Sequence, residues 1–398
     1  MRARSLSCGV LSPNANNIGC RMDVLLNVLY FQQPLLFGRS FGGVTNVAYN
    51  LPMALAKRIR VTYFPSFIPR RSYAVRRLNV FRSLAVKDFD IVHFNVTPSW
   101  TSGGHMLFRY AKINGASTIL NIHGIIQAEH MLDDLRTRWF WLTSYKGLSS
   151  TLRYCKIADR IVTYSEFMRT NIVTWYGVNR DKIAVIPNGV DVRKFSECDS
   201  ELFLEGDPAI LYLGSLSNFK SPDLLIHAIA KLRSELPNMK LHLVGSGDKT
   251  PLELLAKKKD VERQVVFHGY AGPATVPRYY KSADFCIFPS RRDSAGITLL
   301  EAMASGTPVI ASNRGGTPEI ISSGENGILF APEDTDALPK AILALSQDSD
   351  LRKRISHNAL KTVTKYSWEN IAEKYVSLYK CLREARTRTV QTTDRVTD

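Results

Sequence analysis

Several large protein classes are excluded by what this sequence lacks. Its longest near-continuous apolar run, VLLNVLYF at 24–31, falls far short of the roughly 18 residues that a membrane-spanning helix needs. No apolar stretch follows the basic residues of MRARSLSCGVLSPNANN, so the N-terminus does not read as a secretory signal. The six cysteines, at 8, 20, 155, 198, 286 and 381, are scattered, with neither a CxxC pair nor histidines at ligand spacing. That argues against structural zinc and a disulfide framework, and for the reducing cytoplasm. Acidic residues are scarce in one half only. Residues 1–190 hold 24 Lys+Arg and 9 Asp+Glu, a balance of +15, whereas residues 191–398 hold 28 and 27, a balance of +1. The stretch 56–82 has eight basic residues and no acidic one, interleaved with Tyr, Phe and Leu. Such a face is either simply solvated or suited to an anionic membrane surface or a polyanionic partner.

What is present is an ordinary globular composition, 45% apolar and 22% charged. At 398 residues the chain exceeds what one core usually holds, so two domains are expected. Strand-like runs rich in Val, Ile, Phe and Tyr alternate with helical patterns throughout, the signature of parallel sheets. In the first half the runs lie at 24–30, 60–64, 90–94, 117–123, 160–165 and 182–187. In the second they lie at 209–214, 240–245, 265–269, 285–290, 307–312 and 326–330. Each half reads as a doubly wound α/β layer, with the polar segment 188–208 as linker. Two such layers bind ligands beyond the carboxyl ends of their strands. A final helix is expected over 367–385, with Ser367 as cap and Ile371, Tyr375, Leu378 and Leu382 as its apolar stripe. The polar 386–398 is expected to be a disordered tail.

The loops after the second-half strands carry the chemistry. Gly214 permits a sharp turn after AILYLG, and Lys220 stands just before a helix whose N-terminus favours anions. Alone, a lysine there is ordinary surface. The LVGSGDK turn adds Gly245 and Gly247, weak signals by themselves. Strand FCIFPS runs directly into RRDSAGITLLEAMASG, where the amides of Gly296, Ile297, Thr298 and Leu299 open a helix and form a seat for a diphosphate. Asp293 before that helix and Glu301 within it are placed to accept hydrogen bonds from sugar hydroxyls. The plainer alternative is that Asp293 caps the helix and Glu301 is a satisfied polar residue. A charge beside Leu299 and Leu300 needs a partner or a ligand.

Taken in order, GSLSNFKS, LVGSGDK, FHGY, SADFCIFPS, D-x7-E-AMASGTPVIAS, GGTPEII and NGILFAPED resemble the retaining glycosyltransferases of family 4, the glycosyl transferases group 1. IPNGVDVRKF at 186–195 and the closing SWENIAEKY fit the same family, and the resemblance spans roughly 22–385. It implies the GT-B architecture: two Rossmann-like domains facing across a cleft (22–190 for the acceptor, 191–366 for a nucleotide-sugar donor), and a C-terminal helix, 367–385, crossing back to the first. Residues 1–21 precede it and are expected to be an extension outside the fold, with Met22 as an alternative start.

By the family's pattern Glu301 holds the ribose hydroxyls, Asp293 holds hydroxyls of the donor sugar, and Lys220 neutralises the diphosphate. The looser first-half match places Gly42 and Gly43 as a loop bringing amides to the β-phosphate, and His123, closing STILNIH, beside the reacting sugar. Three positions depart from the pattern. Ser215 stands where the family has arginine, Ser221 where it has glycine, and Asp293 where it has glutamate. Arg291 and Arg292 are candidates to replace the missing cation.

The resemblance implies a retaining transferase without a cofactor, with catalytic roles for His123, Lys220 and Asp293; metal independence is expected on the reading that no D-x-D-type metal motif is present. Its partners would be a nucleotide-sugar donor and a hydroxyl acceptor, lipid-linked or a cell-envelope glycan, with no nucleic acid. The basic half, including Trp139, Trp141 and Tyr145 in 136–154, is expected to attach peripherally to the inner membrane face. Two alternatives stay open: a catalytically weak binding or regulatory subunit, and a nucleotide-sugar epimerase.

Overall fold

In a computed structural model of the chain, the residues described are 9–11, 26–32, 43–65, 88–95, 104–124, 151–198, 202–291 and 296–394. Gly42, Arg292, Asp293 and most of the basic-aromatic stretches (66–82 and 136–150) lie outside them. The chain divides into two compact units, 1–187 with 368–398, and 188–367.

The first unit is a seven-stranded sheet. Its strands are β1 (Gly9–Leu11), β2 (Asn27–Gln32), β3 (Arg60–Pro65), β4 (Ile91–Phe94), β5 (Ser117–Asn121), β6 (Arg160–Thr163) and β7 (Ile183–Val185), in the order β1-β3-β2-β4-β5-β6-β7. From β3 to β7 every pairing is parallel. β4 and β5 are buried at every position, because helices cover both faces of a parallel sheet. The described helices are α1 (Gly43–Ala56), α2 (Gly104–Ile113), α3 (151–157) and α4 (Glu166–Tyr176). α4 shows why the boundaries fall where they do: the Ser165 hydroxyl accepts from the Met168 amide, and Gly177 closes the helix in the left-handed conformation. Leu29, Val92, Phe94, Phe108, Ile161 and Met168 belong to one core.

Three expectations change here. Within 1–21, residues 9–11 form β1, paired antiparallel to β3 with Gly9 opposite Tyr63, so this part of the extension belongs to the sheet. The segment 188–208 is no free linker: it carries α5 (Val192–Ser196), capped by Asp191 and anchored by the buried Phe195. The closing helix, α12 (Trp368–Asp394), runs beyond 385, since no Gly or Pro interrupts RTRTVQTTD. Its buried stripe is Ile371, Ala372, Tyr375, Tyr379 and Leu382, and it packs on α1 of the first unit. The exposed pairs Lys57–Glu369 (3.2 Å) and Arg58–Glu373 (2.7 Å) border that contact and contribute little beside it.

The second unit is a wholly parallel six-stranded sheet: β8 (Ala209–Leu213), β9 (Lys240–Val244), β10 (Val265–Gly269), β11 (Phe285–Phe288), β12 (Val309–Ser312) and β13 (Ile328–Phe330). The order is β10-β9-β8-β11-β12-β13, which is 3-2-1-4-5-6 within the unit, the order of doubly wound nucleotide-binding sheets. The strand order reverses between β8 and β11, so the loops leaving those two parallel strands flank the switch point. The helices are α6 (Asp223–Leu232), α7 (Thr250–Lys258), α8 (Val276–Ser282), α9 (Ile297–Ala304), α10 (Ala337–Gln347) and α11 (Ser349–Val363). All twelve strands expected from the apolar runs are present.

Candidate functional site

In the second unit, adjacent parallel pairing of β8 and β11, with Phe285 opposite Ile210, sets their exit loops side by side. The β8 loop begins at Gly214, whose amide donates to the Val244 carbonyl at 3.0 Å. Leu216 N–H donates to Ser246 O at 2.8 Å, and the Tyr212 hydroxyl donates to Ser215 O at 2.6 Å. Gly245 is therefore no generic turn residue: a Cβ there would stand 1.7 Å from the Gly214 carbonyl oxygen. Ser215 is exposed, and its hydroxyl meets that of Ser217 at 2.9 Å. Lys220 is half-buried, its amide donating to Ser217 O at 3.0 Å. Ser221 is fully buried with φ at 51°, a left-handed conformation that explains why glycine suits this position. Its hydroxyl donates to Asn218 O at 3.0 Å.

The β11 loop is tied to this one. Arg291 N–H donates to Phe219 O at 3.2 Å, and its guanidinium reaches the Asp223 carboxylate at 3.3 Å, in the first turn of α6. Arg291 thus braces the lysine-bearing loop. Gly296, at φ 56°, opens α9, and the first intrahelical bond runs from the Leu300 amide to its carbonyl at 2.9 Å. The amides of Ile297, Thr298 and Leu299 precede that bond, at the positive end of the helix dipole.

Glu301 lies one turn in. The residue keeps some surface, but protein atoms crowd its carboxyl. Burial raises its pKa to about 7, against the lowering effects of Lys194 and of the Tyr280 hydroxyl. That hydroxyl donates to Thr298 O at 3.1 Å and lies 3.5 Å from Glu301 Oε2. Tyr280 itself is fully buried on α8. Both neighbours escape sequence reasoning. Lys194 sits inside IPNGVDVRKF, and Tyr280 carries no motif signal at all.

In the first unit, Gly43 is the first residue of α1. His123 lies two residues beyond β5, half-buried, its Nε2 2.5 Å from Asn95 O. The Tyr164 hydroxyl is 3.0 Å from its Nδ1 and 3.1 Å from its Nε2. Burial lowers its pKa to about 4, outweighing the Asn95 carbonyl. Nearby His93, fully buried on β4, is lowered to about 3, again by burial first.

A cavity of about 720 Å³ is lined by Lys231, Arg233, Lys259 and Leu338 on the α6–α10 side, but Lys231 pairs with Asp336 and Arg233 with Asp260. The expectation that the sequence holds no D-x-D string is corrected here: such strings occur at 88–90, 334–336 and 348–350, and in each an aspartate has a structural partner, since Asp90 accepts from the Asn27 amide, Asp336 holds Lys231, and Asp348 caps α11. Among the described residues no group of three or more His, Cys, Asp or Glu stands together as metal ligands.

Two Rossmann-like units, one with a basic loop, a helix start and a buried carboxyl at its switch point, define the GT-B class of glycosyltransferases. Residues 195–362 match the family model of glycosyl transferases group 1, and residues 44–194 match that of Glycosyltransferase Family 4. The chain belongs to the group 1 glycosyltransferases. It is 35% identical over 250 residues to an uncharacterized glycosyltransferase of Methanocaldococcus jannaschii, covering 59% of this chain and 62% of that protein. It is 31% identical over 236 residues to a D-inositol 3-phosphate glycosyltransferase of Nocardia farcinica, covering 56% and 52%. The chain therefore spans between half and two-thirds of the length of these curated relatives. Among solved structures it shares its fold with Anabaena HepE in complex with UDP and glucose (TM-score 0.68, 18% identity, covering 89% and 99%). Sucrose-phosphate synthase of Thermosynechococcus elongatus has the same fold (TM-score 0.71, 21% identity, covering 90% and 100%).

Proposed function

We propose that this chain is a retaining, metal-independent glycosyltransferase that moves a sugar from a nucleoside-diphosphate sugar to a hydroxyl acceptor. The observation that carries the reading is Glu301. A carboxyl crowded by protein, raised to about 7 and set one turn inside a glycine-opened helix at the sheet's switch point is costly unless a ligand uses it. A ribose diol donating two hydrogen bonds is such a ligand, since it favours the ionised form. Relatives described with UDP and UDP-glucose support a uridine nucleotide as the first donor to test.

In this reading the amides of Gly296, Ile297, Thr298 and Leu299, the turn at Gly214 and Ser215, and the ammonium of Lys220 receive the diphosphate. They stabilise the charge that builds as the anomeric bond stretches. Asp293 receives hydroxyls of the donor sugar, Gly42 and Gly43 bring amides to the β-phosphate, and His123 lies beside the reacting sugar. His123 is then a neutral hydrogen-bonding group at physiological pH, because burial keeps it unprotonated. No protein nucleophile is assigned, and the departing phosphate takes the acceptor proton.

The acceptor in this proposal is lipid-linked or a cell-envelope glycan, and the basic first half attaches reversibly to an anionic membrane face. The charge balance of +15 supports this, as do exposed Tyr49 and Ile113. Among the described residues no helix is long and apolar enough to cross a membrane. The second reading, a binding or regulatory subunit, is favoured by Ser215, whose hydroxyl supplies no charge to the diphosphate loop. Thermal stabilisation by UDP, GDP and ADP sugars, followed by donor hydrolysis without acceptor, tests the proposal. Stabilisation and turnover are expected with one nucleotide series; stabilisation without turnover favours the binding subunit, and neither effect rejects both readings.

A further inference from the structure

Tyr375 and Tyr379 stand about one turn apart on α12, and both are fully buried against the sheet of the first unit. Each reaches a polar side chain carried by a strand. Tyr379 Oη lies 2.5 Å from His93 Nδ1, and Tyr375 Oη accepts from Asn121 Nδ2 at 3.2 Å. The Tyr375 ring also stacks on His93, with centroids 5.5 Å apart and planes at 27°. The same Asn121 amide donates to Asn95 Oδ1 at 3.1 Å, and the Asn95 backbone carbonyl faces His123 Nε2. Hydrophobic contact alone would dock a helix. Burying a connected polar chain instead costs desolvation, and it specifies one arrangement.

The chemistry of that chain fixes a proton. A carbonyl oxygen can only accept, so His123 Nε2 carries the hydrogen that points at Asn95 O. The buried Tyr164 hydroxyl lies 3.0 Å from Nδ1 and 3.1 Å from Nε2; with the Nε2 hydrogen given to Asn95 O, the lone pair of Nδ1 is what remains in a neutral ring for that hydroxyl to meet. Among the described residues, the titratable groups that this network brings toward His123 are Tyr164 beyond β6, His93 on β4 and, through Asn121 and His93, Tyr375 and Tyr379 on α12. None of them supplies a carboxylate that would favour the imidazolium.

We propose that Asn95, Asn121, Tyr164 and Tyr375 are positioning residues that hold His123 as a single neutral tautomer, protonated on Nε2, and tie its orientation to the docking of α12. α12 starts at Trp368, immediately after the second unit ends at Ser367, so the segment returning from that unit is the one whose seating His123 reads. The functional weight of this coupling rests on His123 lying beside the reacting sugar.

The test uses the full-length protein labelled with ¹⁵N. The His123 ring signals are assigned by their loss in His123→Gln and followed between about pH 5.5 and 8. The expected result is a pyrrole-type Nε2 and a pyridine-type Nδ1 that do not titrate in this range. Protonation on Nδ1, an averaged pair of signals, or titration overturns the proposal. Tyr375→Phe keeps the ring and removes only the hydroxyl; it is expected to move the His123 signals, whereas Glu373→Gln, on the outer face of α12, leaves them in place. Tyr164→Phe, which shifts Nδ1 directly, serves if Tyr375→Phe does not fold. Unmoved His123 signals in Tyr375→Phe, or in Tyr164→Phe where that variant serves, overturn the coupling whatever the activity. With an identified donor, kcat is expected to fall about 10- to 100-fold in Tyr375→Phe at unchanged donor KM. Moved signals with unchanged kcat uphold the positioning and overturn instead the place of His123 in the proposed reaction.

Discussion

The carbonyl oxygen of Gly214 lies 1.7 Å from where a Cβ on Gly245 would stand, so two loops leaving neighbouring strands are packed backbone to backbone. No side-chain rotation relieves that clash. Gly245→Ala is expected to destabilise the protein by about 2–3 kcal/mol or more, since it forces the β8 and β9 loops apart. Gly272→Ala, where nothing stands within 4 Å, serves as the control, with a change expected within about 0.5 kcal/mol. Chemical denaturation of both variants checks this, and equal midpoints would refute the close approach.

Glu301 couples stability to function with opposite signs. Its ordinary value is 4.5 and burial raises it to about 7 in the folded chain. The folded state therefore binds the proton more tightly, and the stability from this group is fully present below 4.5 and lost as pH rises through 7. Glu301→Gln removes the buried charge, so ligand-free protein at pH 8 is expected to melt higher, by a margin that shrinks toward pH 5. Donor binding should move the other way. Glu301→Ala is expected to cost about 2–4 kcal/mol in donor binding or transition-state stabilisation. Wild-type donor affinity should likewise weaken as pH falls below 7, measured by calorimetry. Unchanged affinity in a folded variant would remove Glu301 from the site.

The departures from the family pattern separate into two kinds. At Ser221 the left-handed backbone costs about 1–2 kcal/mol for a residue with a Cβ, and the Ser221 hydroxyl returns part of it through Asn218 O. Ser221→Ala keeps the strain and loses the bond, so Ser221→Gly is expected to be about 1 kcal/mol more stable than Ser221→Ala. Urea midpoints decide this. Ser215 is exposed and carries no such strain. Ser215→Arg and Asp293→Glu are expected to raise turnover if the departures are losses, and to lower it with the true donor if they are adaptations. Flat kinetics in both would place these side chains away from the donor.

Membrane attachment is tested by co-sedimentation with anionic and neutral vesicles. Binding to anionic vesicles is expected, falling as salt rises, at about 1 kcal/mol for each basic residue at the surface. Equal binding to both lipids would leave a protein with no electrostatic membrane preference.

Much of the fold was legible because parallel strands buried on both faces read as apolar runs, and all twelve of those runs became strands. β1 was missed because three residues, Gly9–Leu11, are too short to show a period. The helix start at Gly296 and the carboxyl at Glu301 were legible because capping chemistry and motif spacing are local. Leu378 was expected on the buried stripe of α12, where Tyr379 is the fully buried residue; helical spacing from Tyr375 admits either the third or the fourth residue on, and the contact of the Tyr379 hydroxyl with His93 decides it.

By itself the sequence determined two α/β units, the order of their strands along the chain, and which loops carry lysine, glycine and carboxylate. These follow from propensity and periodicity among residues a few positions apart. Only the tertiary structure decided that Tyr280 and Lys194 neighbour Glu301, that Arg291 braces Asp223, and that Tyr375 and His123 share one hydrogen-bonded chain through Asn121 and Asn95. The charge of a buried carboxyl and the tautomer of an imidazole depend on which groups exclude water and which accept a proton around them, and those groups come from distant parts of the chain.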